Sequence, residues 1–109
     1  MNFSLTADAE QDLLDITANL AKERPQLALD FFDEFTATCH RLAEMPEMAP
    51  KVPRSIRQAA PILSDCRRWP LKRFRDHLIF YKPEKNHLLV LRILSGKRDL
   101  PILFGEWNY

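Results

Sequence analysis

Two apolar runs near the end of the chain constrain the fold most. The first is Asp76-His77-Leu78-Ile79-Phe80-Tyr81, and the second begins Leu88-Leu89-Val90-Leu91-Arg92-Ile93-Leu94. Both are rich in β-formers. The short polar break Lys82-Pro83-Glu84-Lys85-Asn86 separates them, so they are expected to form adjacent antiparallel strands joined by a hairpin. Both are apolar enough to be central in a sheet. Arginines on or beside them therefore sit on a rigid platform. A turn at Ser95-Gly96-Lys97-Arg98 then leads towards a short last helix, with Asp99 as its N-cap and Gly105 as its stop.

The first half of the chain has a different period. Phe3-Ser4-Leu5 is expected to be a short first strand. Thr6 follows as a helix N-cap, with Asp8 and Glu10 placed to suit the helix dipole. Ala9, Leu13, Ile16 and Leu20 recur as one helical stripe, and the helix is expected to end near Lys22-Glu23-Arg24. Pro25 opens a second helix at the position where its missing N–H does no harm. That helix carries Ala28, Phe31, Phe32, Phe35, Cys39 and Leu42 on one expected core face, and Met45-Pro46 ends it. The connection is so short that the two helices must form an antiparallel hairpin.

Residues 46–64 hold Pro46, Pro50, Pro53 and Pro61. This is a connecting segment with room for a short helical turn at Arg54–Ala59. Cys66-Arg67-Arg68-Trp69-Pro70-Leu71 resumes an extended pattern, with Trp69 and Leu71 on one face and Arg68 on the other. Pro70 marks that strand as short or at an edge. The expected architecture is α+β, in the order β-α-α-β-β-β-α, as a single domain over 1–109. A helical hairpin packs on one face of a small, mostly antiparallel sheet, and the other face is left to a partner.

A length of 109 residues suits one core. No apolar run approaches the ~20 residues of a membrane span, and the N-terminus shows no basic region followed by a long apolar one. Two cysteines, Cys39 and Cys66, make neither a metal pattern nor a disulfide framework. The expectation is a cytoplasmic protein with no metal, no cofactor and a buried reduced thiol at Cys39. The net charge of +1 hides an asymmetry. Residues 1–50 carry 3 Lys or Arg against 10 Asp or Glu, a balance of −7. Residues 51–109 carry 13 against 5, a balance of +8. Either the basic half faces an anionic partner or the two halves partly neutralise each other within one domain.

These elements and residues together resemble the RelE/ParE superfamily of bacterial toxins over nearly the whole chain. Phe3-Ser4-Leu5-Thr6-Ala7-Asp8-Ala9-Glu10-Gln11-Asp12-Leu13 is similar to the family's opening. Arg68-Trp69-Pro70, His77-Leu78-Ile79-Phe80-Tyr81 and Leu91-Arg92-Ile93-Leu94-Ser95-Gly96-Lys97-Arg98-Asp99-Leu100 are similar to three further family motifs, in register. The resemblance implies a type II toxin neutralised by a cognate, ParD-like antitoxin. Within the superfamily, one branch cleaves mRNA on the ribosome and the other inhibits DNA gyrase, and the fold alone does not choose between them.

The nuclease branch places an arginine on the strand matched by His77–Tyr81, an arginine in the turn after the last strand, and a tyrosine in the final helix. Here those positions are Leu78, Arg98 and Phe104. Leu78 has no charge to stabilise a phosphorane, and Phe104 cannot exchange a proton. The resemblance therefore points to a ParE-like toxin that acts by binding, with no catalytic residue. A ribosome-dependent mRNA endonuclease using Arg98 and a histidine is the alternative, and a non-toxic basic nucleic-acid-binding domain is a third class. The residues expected to contact partners are Arg67, Arg68, Arg75, His77, Arg92, Lys97, Arg98 and Trp107. Arg92 interrupts an apolar strand, so it must face a partner, a carboxylate or water, and the expected pairing is with an antitoxin carboxylate or an internal acid such as Asp76 or Asp99. Trp107, on the tail Gly105-Glu106-Trp107-Asn108-Tyr109, either caps the core or touches the toxin's target.

Overall fold

The computed structural model describes residues 2–54, 58, 65–74 and 76–96. Its elements are β1 (Asn2–Leu5), α1 (Ala7–Glu23), α2 (Pro25–Glu44), β2 (Arg67–Pro70), β3 (His77–Glu84) and β4 (His87–Ser95). The expected helix after Asp99, most of the expected turn at 54–59, and Arg75, Lys97, Arg98, Phe104 and Trp107 lie outside the described residues.

Local chemistry explains each boundary. Thr6 is extended and caps α1, its Oγ1 accepting the Ala9 N–H at 3.1 Å. The same hydroxyl donates to the Leu91 carbonyl at 2.8 Å, which fastens the start of the helix to the sheet. Arg24 is the single residue between the helices, and Pro25 occupies the first turn of α2. At the other end of α2 the Met45 N–H closes on the Arg41 carbonyl at 3.0 Å, and Pro46 permits no further turn.

The four strands lie in the order β1-β4-β3-β2. The β2–β3 and β3–β4 pairs are antiparallel, and β1 runs parallel to β4. The strands of the β3–β4 hairpin run further than the polar break suggests, to Glu84 and from His87. Lys85 and Asn86 alone make the turn, with Asn86 at φ 58°, a left-handed conformation that asparagine accepts readily. Pro83 is tolerated within β3 because β2 stops opposite Tyr81, so no neighbour on that side requires its N–H. Register places Arg92 opposite Phe80 but Val90 opposite Tyr81, so Leu91 is the extra residue of a β-bulge.

Both helices pack on one face of the sheet. Ala9, Ile16, Phe31, Phe35, Cys39 and Leu42 meet Leu71, Ile79, Tyr81, Leu88, Val90 and Ile93 in a single buried cluster. Burial pushes the Cys39 thiol up to about 12, so it behaves as a small apolar side chain.

Two expectations are corrected. Phe32 is not in the core and is 50% exposed. A 100° helical step separates it from Phe31, so only one of the two adjacent rings can face the sheet. The second face of the sheet is not simply open either. Phe80 and Leu94 point away from the helices and are both fully buried, as befits inner strands that are apolar on both faces.

Candidate partner-binding site

Arg92 shows how the sheet handles a charge. β1 ends opposite Val90, so the following stretch of β4 has an unpaired edge. Asp12, on the flank of α1, fills that gap. Its Oδ2 accepts the Ile93 N–H at 3.0 Å and the Arg92 Nε–H at 2.7 Å, while its Oδ1 accepts an Arg92 Nη2–H at 2.9 Å. The Arg92 side chain is only 28% exposed and that of Asp12 14%. The arginine does face an internal carboxylate, Asp12; Asp99, one of the acids expected there, lies outside the described residues. No local motif links positions 12 and 92. The unpaired edge of β4 beside α1 brings them together.

Other expected contact residues are spread across the molecule. Arg67 turns towards the helix side, and its Nη1 donates to the Ala49 carbonyl at 2.6 Å. Next to it, the buried Tyr81 hydroxyl donates to the Pro46 carbonyl at 2.8 Å. Burial raises the Tyr81 pKa, with the Arg67 charge acting in the opposite sense. Together these residues tie the segment after α2 to the sheet. His77 also has a packing role, because its ring meets Phe31 edge-on at 5.3 Å. Arg68 lies opposite Phe80 on the face away from the helices, half-buried. Arg67, Arg68, His77 and Arg92 therefore do not converge on one point.

Sequence reasoning missed the surroundings of β2. The loop after it is strapped to α2: the Arg73 N–H donates to both oxygens of Glu34, at 3.0 and 3.1 Å, and the Arg73 guanidinium reaches Asp30 at 3.5 Å. Beyond this strap, Arg41, Trp69, Pro70, Leu71 and Lys72 line a groove of about 510 Å³ between the end of α2 and the edge strand. The signal available in the sequence was an arginine in the last turn of an acidic helix and a tryptophan beside a proline. Nothing in it placed the two together. Leu14, Leu29 and Phe32 are the large apolar side chains exposed along the helical hairpin.

Burial raises the thiols of Cys39 and Cys66 to about 12 and about 11, so neither is a poised nucleophile. Among the described residues no group of His, Cys, Asp and Glu could hold a metal ion. No described helix is long and apolar enough to cross a membrane.

Comparison with known proteins agrees with the architecture. No curated protein sequence matches the chain. Among solved structures, a chain of the chromosomal ParDE TA system from P. aeruginosa superposes with a TM-score of 0.65. It is 18% identical, over 87% of this chain and 95% of that one. At that identity the likeness establishes the fold: two helices on a four-stranded mixed sheet. The family model for the ParE toxin of the type II toxin-antitoxin system, parDE, matches residues 3–100. With that match extending from the first strand to beyond the last, the chain belongs to the ParE toxin family of type II toxin-antitoxin systems.

Proposed function

We propose that this protein is a toxin that blocks DNA gyrase by binding, and that a cognate ParD-like antitoxin holds it inactive. The observation that carries the reading is the ParE family match over residues 3–100. The residue at the strand position where the nuclease branch of the superfamily has an arginine supports it. Leu78 sits in β3 between Pro70 and Leu94, and a leucine there cannot stabilise phosphorane charge. Such a toxin works in the cytoplasm, where gyrase is.

The antitoxin would be a largely disordered segment that folds as it binds. Two features suit it. Leu14, Leu29 and Phe32 offer apolar area along the helical hairpin, and burying such side chains drives association. Arg68, Arg75 and Arg92 offer positive charge to acidic antitoxin residues. Arg92 already has Asp12 as a partner, so an antitoxin carboxylate there would add to an existing pair.

Purified protein is expected to inhibit gyrase supercoiling in vitro, to lose that effect when the antitoxin is added, and to leave ribosome-bound mRNA intact. Codon-specific cleavage in a translating extract, without an effect on gyrase, would overturn the proposal in favour of a ribosome-dependent endonuclease.

A further inference from the structure

The face of the sheet away from the helices carries a polar cluster beside the β3–β4 turn. Phe3 and Leu5 pack against the core, so Asn2 and Ser4 point to the other face. Leu88, Val90 and Tyr81 are also core residues, which puts His87, Leu89 and Lys82 on that outer face as well. Register sets two rows side by side: Asn2, His87 and Glu84, and next to them Ser4, Leu89 and Lys82. One bond crosses between the rows. Ser4 Oγ lies 2.6 Å from His87 Nε2, in a part-buried position, which is short for a hydrogen bond to nitrogen.

Holding β1 in place does not require this pair. The ladder to β4 does so already, and Thr6 adds its N–H to the Val90 carbonyl at 3.0 Å and its hydroxyl to the Leu91 carbonyl. A hydroxyl held against an imidazole nitrogen is the arrangement in which a base takes the hydroxyl proton. Glu84 is the cross-strand partner of His87, so its carboxylate is within a side chain's reach of the ring. A proton kept on Nδ1 by that carboxylate leaves Nε2 as the acceptor. The backbone supplies a further donor. N–H groups alternate in direction along a strand, and the Thr6 N–H faces β4. The Leu5 N–H therefore points to the opposite edge of β1, which no described strand covers. It belongs to the residue after Ser4, a position from which an N–H can meet the oxygen of a carbonyl under attack.

We propose that Ser4 is a nucleophile with His87 as its general base, and that the pair takes acyl groups from activated esters and hydrolyses them. Ser4 Oγ bonds to the ester carbonyl carbon while its proton passes to His87 Nε2. The bond from that carbon to the leaving oxygen breaks, and the leaving oxygen takes the proton from Nε2. Water then attacks the acyl-serine with His87 again as base. The carboxylic acid departs as Oγ recovers its proton. Leu89, between Ser4 and Lys82, gives a short acyl chain an apolar surface, and the Lys82 ammonium suits a leaving group that develops negative charge. Ser4 and His87 touch the reacting atoms, whereas Glu84 is a positioning residue. This chemistry is separate from the block of gyrase proposed above and does not depend on it.

The test treats the full-length protein with a fluorophosphonate probe, which bonds covalently to activated serines, and locates the label by peptide mass spectrometry. Turnover is followed with p-nitrophenyl acetate. The label is expected on Ser4. Ser4→Ala should lose both the label and the hydrolysis, and His87→Gln should slow labelling ~100-fold. Both side chains are half-buried, so circular dichroism checks the fold of each variant. The labelled position in the parent protein decides the matter even where a variant fails to fold. The labelling rate should rise with pH as an imidazole loses its proton. Glu84→Gln should move the midpoint of that rise to lower pH, because the carboxylate favouring imidazolium is gone while the neighbouring charges Lys82 and Lys85 stay. Absence of label from Ser4, or a labelling rate that ignores His87→Gln, would overturn the proposal. So would hydrolysis that survives Ser4→Ala, which would leave His87 as an unaided base. An unmoved midpoint in Glu84→Gln would overturn the role given to Glu84.

Discussion

The two sides of the sheet treat positive charge in opposite ways. On the β4 side, Arg92 sits beside a bulge, and Asp12 claims it with two hydrogen bonds while also accepting the Ile93 N–H. On the β2 side, Arg41 and Lys72 flank an apolar groove with no ion pair of their own among the described residues. The first arrangement closes an edge that β1 is too short to cover. The second leaves donors facing outward from an edge that Pro70 protects from strand addition. An arginine embedded in an apolar strand is therefore structural here, although it is the more conspicuous in the sequence. Arg41 and Lys72, without an ion pair among the described residues, stand at element ends, where the sequence shows only ordinary surface residues.

Removing Asp12 should be the most damaging way to probe this contrast. Asp12→Ala removes two hydrogen bonds from the largely buried Arg92 guanidinium and one from a strand N–H, and a loss of ~3 kcal/mol is expected, near the lower end for broken buried pairs because Arg92 keeps some access to water. In a domain of this size that lowers Tm by ~10 °C or more in a thermal melt. Arg41→Glu should change stability by less than ~0.5 kcal/mol. Equal losses in the two variants would break the comparison.

Alkaline pH tests the thiols on the two sides of the core. Both folded-state values lie above the ordinary 9.0, at about 12 for Cys39 and about 11 for Cys66. A raised thiol pKa means the folded state holds the proton more tightly. Its contribution is intact below pH 9 and is lost as pH rises from there through the folded values. At pH 10 the two thiols together should remove about 2–3 kcal/mol, read as a fall in the urea midpoint relative to pH 8. Cys39→Ala should flatten part of that dependence. Alkylation of the native protein should reach Cys66, near the β2 edge, before Cys39.

Smaller effects fall to single hydrogen bonds. Thr6→Ala removes the α1 cap and the bond to Leu91, and about 1–2 kcal/mol is expected from chemical denaturation. Tyr81→Phe, on the opposite side, loses the hydroxyl's bond to Pro46 and should lower stability by about 1 kcal/mol. Hydrogen exchange would sharpen the contrast. Thr6→Ala should speed exchange where α1 joins β4, and Tyr81→Phe at residues 46–52.

The helical hairpin was legible because its signals are local. Thr6, Pro25 and Met45-Pro46 set the ends of the helices by their own backbone and capping chemistry. The spacing of Ala9 and Ile16, and of Phe31, Phe35, Cys39 and Leu42, fixes which faces are buried. Phe32 was misplaced because adding i+4 to i and i+3 widens the stripe beyond what the sheet covers. Pro70 correctly announced an edge. The candidate site was far less legible. Arg67 and His77 turned out to be engaged in packing, Arg92 found a partner eighty positions away, and the groove at Arg41, Trp69 and Lys72 combines residues from distant parts of the chain.

The sequence by itself determined the two helices, their antiparallel hairpin, the β3–β4 pair and the membership in a toxin family. Each of these follows from periodicity, caps, turn residues or motifs within a short span. Only the tertiary structure decided that β1 runs parallel to β4, that Asp12 takes Arg92, that Phe80 and Leu94 are buried, and which cations remain available. Those outcomes depend on where strands end relative to one another. An edge left open at Val90, or blocked at Pro70, determines which polar groups must find a partner inside the protein and which are left for one outside.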